Sequence, residues 1–140
     1  PSLIFLCGVI GSLLGVRIST ILGKTKALLF VISILIPILF LMAFASNYLL
    51  LALSILWAIF FASQLPITNT LIADFTDDSK RGVGFGINFF ISFGVGSIAA
   101  YLSGLIAEKM DIYYIFITMG LLLIPAMIFS WKIHRISQNN

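Results

Sequence analysis

Charge is what this sequence has least of. Only 9% of its 140 residues are Asp, Glu, Lys or Arg, whereas soluble domains carry about 25%. Cysteine occurs once, as Cys7, which excludes an intrachain disulfide and a Cys-based metal site. Histidine also occurs once, as His134, beyond the last long apolar run, where it reads as a solvated tail residue. There is no Ser-His-Asp set, no paired carboxylate and no His cluster, so enzyme chemistry, a metal or a cofactor has no residues to use. The net charge of +3 is spread along the chain and builds no basic patch, which removes nucleic acid as a partner.

What remains is apolar. Hydrophobic residues make up 61% of the chain, and mean hydropathy is +1.17. Lipid is the solvent such a composition fits, and only helices or a closed barrel satisfy their backbone groups there. Barrel strands alternate apolar and polar residues. Here the runs are continuous, as in FVISILIPILFLMAF, so the expected class is all-α integral membrane.

Five transmembrane helices can be drawn, at about 3–22, 27–44, 48–73, 82–107 and 112–131, with a cytoplasmic tail over 132–140. They form a single membrane domain. The chain begins at Pro1 with no charged leader, and the expectation is a fragment starting within or near a span. Short connections make successive spans antiparallel neighbours. Arg17, Lys24 and Lys26 then fall on one side of the membrane with Lys80, Arg81, Lys132 and Arg135; Lys109 alone falls on the other. The positive-inside rule makes the crowded side cytoplasmic, with the N-terminus outside and the C-terminus inside.

The spans differ in character. The second and fifth are apolar all round and suit a lipid-facing periphery. The third carries Ser54, Ser63, Gln64, Thr68, Asn69 and Thr70, and the fourth carries Asn88, Ser92, Ser97 and Ser103 among its glycines. Polar groups avoid lipid, so these two should face protein or a water-filled cavity. Leu35-Ile36-Pro37 recurs as Leu123-Ile124-Pro125, 88 positions on. That offset pairs spans crossing in opposite directions, as an inverted repeat requires.

Three sets of residues stand out. Trp57, Phe61, Gln64 and Thr68 share one face of the third span, and with Asn88 and Ser92 they are candidates to line a substrate path. Interhelical hydrogen bonding would use the same residues. At the cytoplasmic turn, Asp74, Asp77 and Asp78 meet Lys80 and Arg81. Asp77, Asp78 or Ser79 is the expected cap of the fourth helix, and Asp77 and Arg81 have ion-pair spacing. Asp74, nearer the membrane, is expected to reach Arg17 or Lys24, making Arg17, Lys24, Asp74 and Arg81 gate candidates. In the fourth span Ser92, Gly96, Ala100 and Gly104 recur every four residues and Gly82 and Gly86 begin a similar ridge, a surface for helix packing or for rocking of one bundle on another. Gly94-x-Gly96-x-x-Ala99 is no dinucleotide motif, because no strand precedes it.

IADFTDDSKRGVGFG resembles a pattern common in the major facilitator superfamily of secondary transporters: a long helix, an acidic turn, Arg-Gly and a Gly-rich helix. The matching residues are Asp74, Arg81, Gly82 and Gly86. GVGSIAAYLSGLIAE resembles that family's eleventh helix through Gly94, Gly96 and Gly104. GVRISTILGKTKALL resembles its cytoplasmic signature at Gly23, Lys24 and Lys26, with Thr20 and Ile21 standing where Asp and Arg are usual. The resemblance covers the whole chain. It implies helices eight to twelve of a twelve-helix fold, a partial C-terminal six-helix bundle in the cell membrane, transporting a small solute by alternating access with the N-terminal half as its partner. The alternative is a non-transporting multi-span scaffold or assembly subunit, in which the polar residues only pack.

Overall fold

The computed structural model describes residues 2–139, with side chains described over 6–138. Five α-helices follow in order: α1, Ser2–Leu22; α2, Lys24–Phe44; α3, Asn47–Phe75; α4, Arg81–Lys109; and α5, Tyr113–Asn139. A single 3₁₀ turn, Asp78–Lys80, lies between α3 and α4. Four helices, α2 to α5, are long and apolar enough to cross a membrane, and the described part of α1 adds a shorter apolar helix over Leu6–Leu22. The 29 residues of α3 and of α4 reach about 43 Å at 1.5 Å per residue, so each crosses a ~30 Å core by tilting or by extending into the interface.

The breaks between helices have local causes. Gly23 sits at φ 83°, ψ 150° between α1 and α2, a region open only to residues without a Cβ. The backbone nitrogen of Ala27 then donates to the Gly23 carbonyl at 2.9 Å, starting the α2 ladder. Between α2 and α3, Ala45 and Ser46 are extended and Asn47 takes φ 50°, which Asn tolerates better than most residues. α1 continues past Arg17 to Leu22, and α5 continues from its apolar part through the 132–138 segment as one helix.

The packed core corrects one expectation. α2, apolar on every side and expected at the periphery, holds most of the buried hydrophobic side chains among the described residues: Ala27, Val31, Ile32, Leu35, Ile38, Leu39 and Met42. They fall on a helical stripe packed against Ile67 and Leu71 of α3 and Phe116, Met119 and Leu123 of α5. In lipid an apolar face gains little by leaving its solvent, so composition does not say which apolar helix is central. Packing geometry decides, and α2 lies between α3 and α5.

The glycines that allow close approach are also not those expected. A Cβ on Gly11 would overlap the backbone carbonyl of Ile59, and one on Gly15 that of Ser63. α1 and α3 therefore meet backbone to backbone, with Ser63 of α3 buried there. Gly11-Ser-Leu-Leu-Gly15 is a GxxxG pattern, whose missing side chains let two helices gain dispersion contacts along their whole length. Of the ridge on α4, a Cβ at Gly82, Gly86, Gly96 or Gly104 would meet nothing within 4 Å, and Ala100 is exposed. None of the described residues of α4 is buried. Among the described residues this ridge has no packing partner, and α4 makes few contacts with α3 and α5.

Candidate functional site

α3 places Trp57, Phe61, Gln64 and Thr68 along one face, and α4 brings Asn88 and Ser92 opposite them. Two cavities open here. The larger, about 680 Å³, lies among α2, α3, α4 and α5 and is walled by Trp57, Phe61, Gln64 and Ser92 together with aliphatic and aromatic side chains such as Leu35, Met42 and Phe116. The smaller, about 490 Å³, lies among α1, α3 and α4, where Ser12, Gln64, Thr68, Asn88 and Ser92 supply polar groups. Phe61, Gln64 and Ser92 border both. The cavities thus adjoin across these three side chains. All six path candidates line one or the other, and Ser12 of α1 joins them unforeseen. Its hydroxyl donates to the Gly8 carbonyl at 3.0 Å, within its own helix.

The aromatic wall has a defined shape. The rings of Trp57 and Phe61, one helical turn apart, stack with centroids 4.7 Å apart and planes 12° from parallel. Phe61 is 53% exposed and borders both cavities. Ser63, on the opposite side of α3, is buried and donates to the Phe60 carbonyl at 2.6 Å. That bond satisfies the hydroxyl within the helix, so Ser63 belongs to packing. Asn69 is different: its buried side-chain oxygen has no hydrogen-bond partner among the described residues.

Charge gathers at one end of the bundle. Lys24, in the first turn of α2, bridges to Asp74 near the end of α3, Nζ to Oδ2, at 2.5 Å. Of the two cations within sequence reach of Asp74, Lys24 is the one bonded to it; Arg17 forms no ion pair among the described residues. A cavity of about 390 Å³ lies against this pair, bordered also by Thr25 and by Ser137 of α5. Beside it, Thr25 Oγ1 and His134 Nδ1 lie 3.1 Å apart. His134 is therefore not a solvated tail residue: α5 continues as a helix past Trp131 and carries the imidazole back onto α2. Two adjacent residues, Lys24 and Thr25, thus tie α2 to α3 and to α5.

Arg81 departs from its expected pairing. It bridges to Asp78 at 2.8 Å, three residues away rather than four, and its Nε donates to the Ala73 carbonyl at 3.3 Å. Asp77 is drawn into the 3₁₀ turn, where its backbone carbonyl accepts from Lys80 at 2.8 Å. No side chain caps α4: Lys80 occupies the cap position. The Ala73 contact places a cation on carbonyls at the end of α3, where the helix dipole favours it.

Bundled apolar helices, four of them long enough to span a bilayer, with the ion pairs of the described residues at one end, define a multi-pass membrane protein. The sequence matches the Major Facilitator Superfamily over residues 2–138. The chain belongs to that superfamily, and is a transporter. No match was found among curated proteins or among solved structures.

Proposed function

We propose that this chain forms helices eight to twelve, the C-terminal half, of a secondary transporter that carries a small solute across the cell membrane by alternating access. The observation that carries the reading is the junction of two cavities at Phe61, Gln64 and Ser92. Trp57, Thr68 and Asn88 extend this path to either side. The charged end faces the cytoplasm, since seven of the eight Lys and Arg residues belong to helix ends on that side. The N-terminus of α1 then lies outside and the C-terminus of α5 inside. Lys24 and Asp74 act there as a gate, with Arg17 and Arg81 close by in sequence. Gly82, Gly86, Gly96, Ala100 and Gly104 form a smooth face on which the transporter's N-terminal half packs and rocks.

The path is tested without knowing the substrate. Thr68→Cys and Asn88→Cys are made singly in the whole transporter with Cys7→Ser, and sealed vesicles are treated with a membrane-impermeant thiol reagent. Both cysteines are expected to react. If neither does, the two positions are packed away from water and do not line a path.

A further inference from the structure

We propose that the groove between α2 and α5 binds an anionic phospholipid at its charged end. The phosphate is held by Lys26 and Arg135, and an acyl chain lies along the exposed side of both helices.

One contact fixes the side on which these cations lie. Thr25 of α2 meets His134 of α5, and the two helices run antiparallel. Seen from one end their chains turn in opposite senses, so the residue after each contact position emerges on the same side of the pair. Lys26 and Arg135 therefore share a side. Lys24 faces the other, where it reaches Asp74 of α3. Phe30 and Ser33 follow Lys26 at helical spacing, and Ile124, Ile128 and Trp131 lead up to Arg135 in the same way. All five are exposed. This side is remote from the path: α5 turns Ile115, Met119 and Leu122 to the cavity it shares with α4, and Ile124, Ile128, Trp131 and Arg135 fall on the opposite side of the helix. With the N-terminal half on the α4 ridge, as proposed above, the groove faces lipid.

The charges on this side select the headgroup. Among the described residues neither Lys26 nor Arg135 pairs with an acid, whereas Lys24 and Arg81 do. The acids of this end, Asp74, Asp77 and Asp78, lie on α3 and in the turn that follows it. The Arg135 guanidinium sits over the Trp131 ring, 4.3 Å from its centroid. An indole settles at the headgroup level of a bilayer, so the stack holds the guanidinium where lipid phosphates lie. Its planar fork matches phosphate oxygens, and Lys26 adds a point charge. A zwitterionic headgroup brings a cation of its own to the same place. An anionic headgroup does not, so the local field favours it.

The test reads the groove directly. Ser33→Cys is made in a cysteine-free form of the whole transporter, labelled with a small fluorophore and reconstituted in phosphatidylcholine vesicles. These contain a trace of lipid with a nitroxide on its acyl chain, bearing either a phosphatidylglycerol or a phosphatidylcholine headgroup. Quenching by the anionic probe is expected to be several-fold stronger than by the zwitterionic one. Lys26→Gln with Arg135→Gln should make the two equal, and Trp131→Ala should reduce the difference. Lys80→Gln with Lys132→Gln removes the same charge outside the groove and should leave the difference intact. Equal quenching by both probes in the parent protein overturns the inference, as does a preference that survives Lys26→Gln with Arg135→Gln. An equal loss in the control pair means diffuse surface charge and overturns it too. Each of these leaves the transport path untouched. No quenching by either probe means that protein covers the groove, which overturns the inference together with the placement of the N-terminal half on the α4 ridge.

Discussion

Lys24 and Asp74, fifty residues apart in sequence, are joined Nζ to Oδ2 at 2.5 Å, tying the start of α2 to the end of α3. The side chains are 40% and 50% exposed, so water screens the pair and its effect on stability is at most about 1 kcal/mol. A contact this cheap to break suits a switch better than a structural staple. Asp74→Asn is expected to leave expression and melting temperature nearly unchanged. It should raise the labelling rate of Thr68→Cys from the cytoplasmic side several-fold, and the exchange Lys24→Asp with Asp74→Lys should restore it. An unchanged rate in Asp74→Asn removes the gate.

The α1–α3 contact makes a sharper demand. Gly11→Ala or Gly15→Ala puts a methyl into the backbone of the neighbouring helix, and overpacking of this kind costs about 1–3 kcal/mol. Gly8→Ala meets only the Ala62 methyl at 3.8 Å, an ordinary contact. Thermal unfolding in detergent should therefore show a clear fall in melting temperature for the first two and little change for the third. Equal behaviour of all three would mean that the helices are not in backbone contact.

Asn69 offers the opposite test. Its buried side-chain oxygen lacks a partner among the described residues, and a buried acceptor left unpaired is unfavourable. Asn69→Leu, similar in size and without that acceptor, is expected to keep or raise the melting temperature. A marked fall would reveal a partner for the amide.

Gln64 and Thr68 should govern transport rather than folding. If the solute hydrogen-bonds to either, Gln64→Ala or Thr68→Ala removes about 0.5–1.5 kcal/mol of binding, or roughly 2- to 12-fold in KM. Uptake measured at matched expression checks this, and unchanged kinetics for both variants would take these residues out of the path.

Much of the architecture was legible in one dimension. Continuous apolar runs separated by short polar breaks mark helices because every backbone group in lipid must be bonded within its own segment. The path candidates were legible for the same reason: Trp57, Phe61, Gln64 and Thr68 repeat at helical spacing in an otherwise apolar span, so they share a face wherever the helix lies. Gly11-x-x-x-Gly15 was also present as a pattern, overshadowed by the richer glycine series of α4. Both series satisfy the same small-residue rule, and the sequence carries no sign of which one has a partner within the chain.

Pairings between helices were less accessible. His134 looked like a solvated residue because its bond to Thr25 spans 109 positions and depends on α5 staying helical beyond its apolar part. Arg81 had acids at two usable spacings, and the 3₁₀ turn chose Asp78 by tightening the chain ahead of α4. α2 was misplaced because an all-apolar helix is equally soluble in lipid and in a protein core.

By itself, then, the sequence determined that this is a helical membrane protein, roughly where each helix lies and which residues share a face. Hydropathy and helical period are local properties, fixed by each segment's own side chains. Only the tertiary structure decided that α2 is central, that α1 and α3 touch along Gly11 and Gly15, that Lys24 holds Asp74, and that two cavities adjoin at Phe61, Gln64 and Ser92. Those outcomes rest on how side-chain volumes fit between helices once all are assembled, and in lipid no difference in hydrophobicity exists to signal them beforehand.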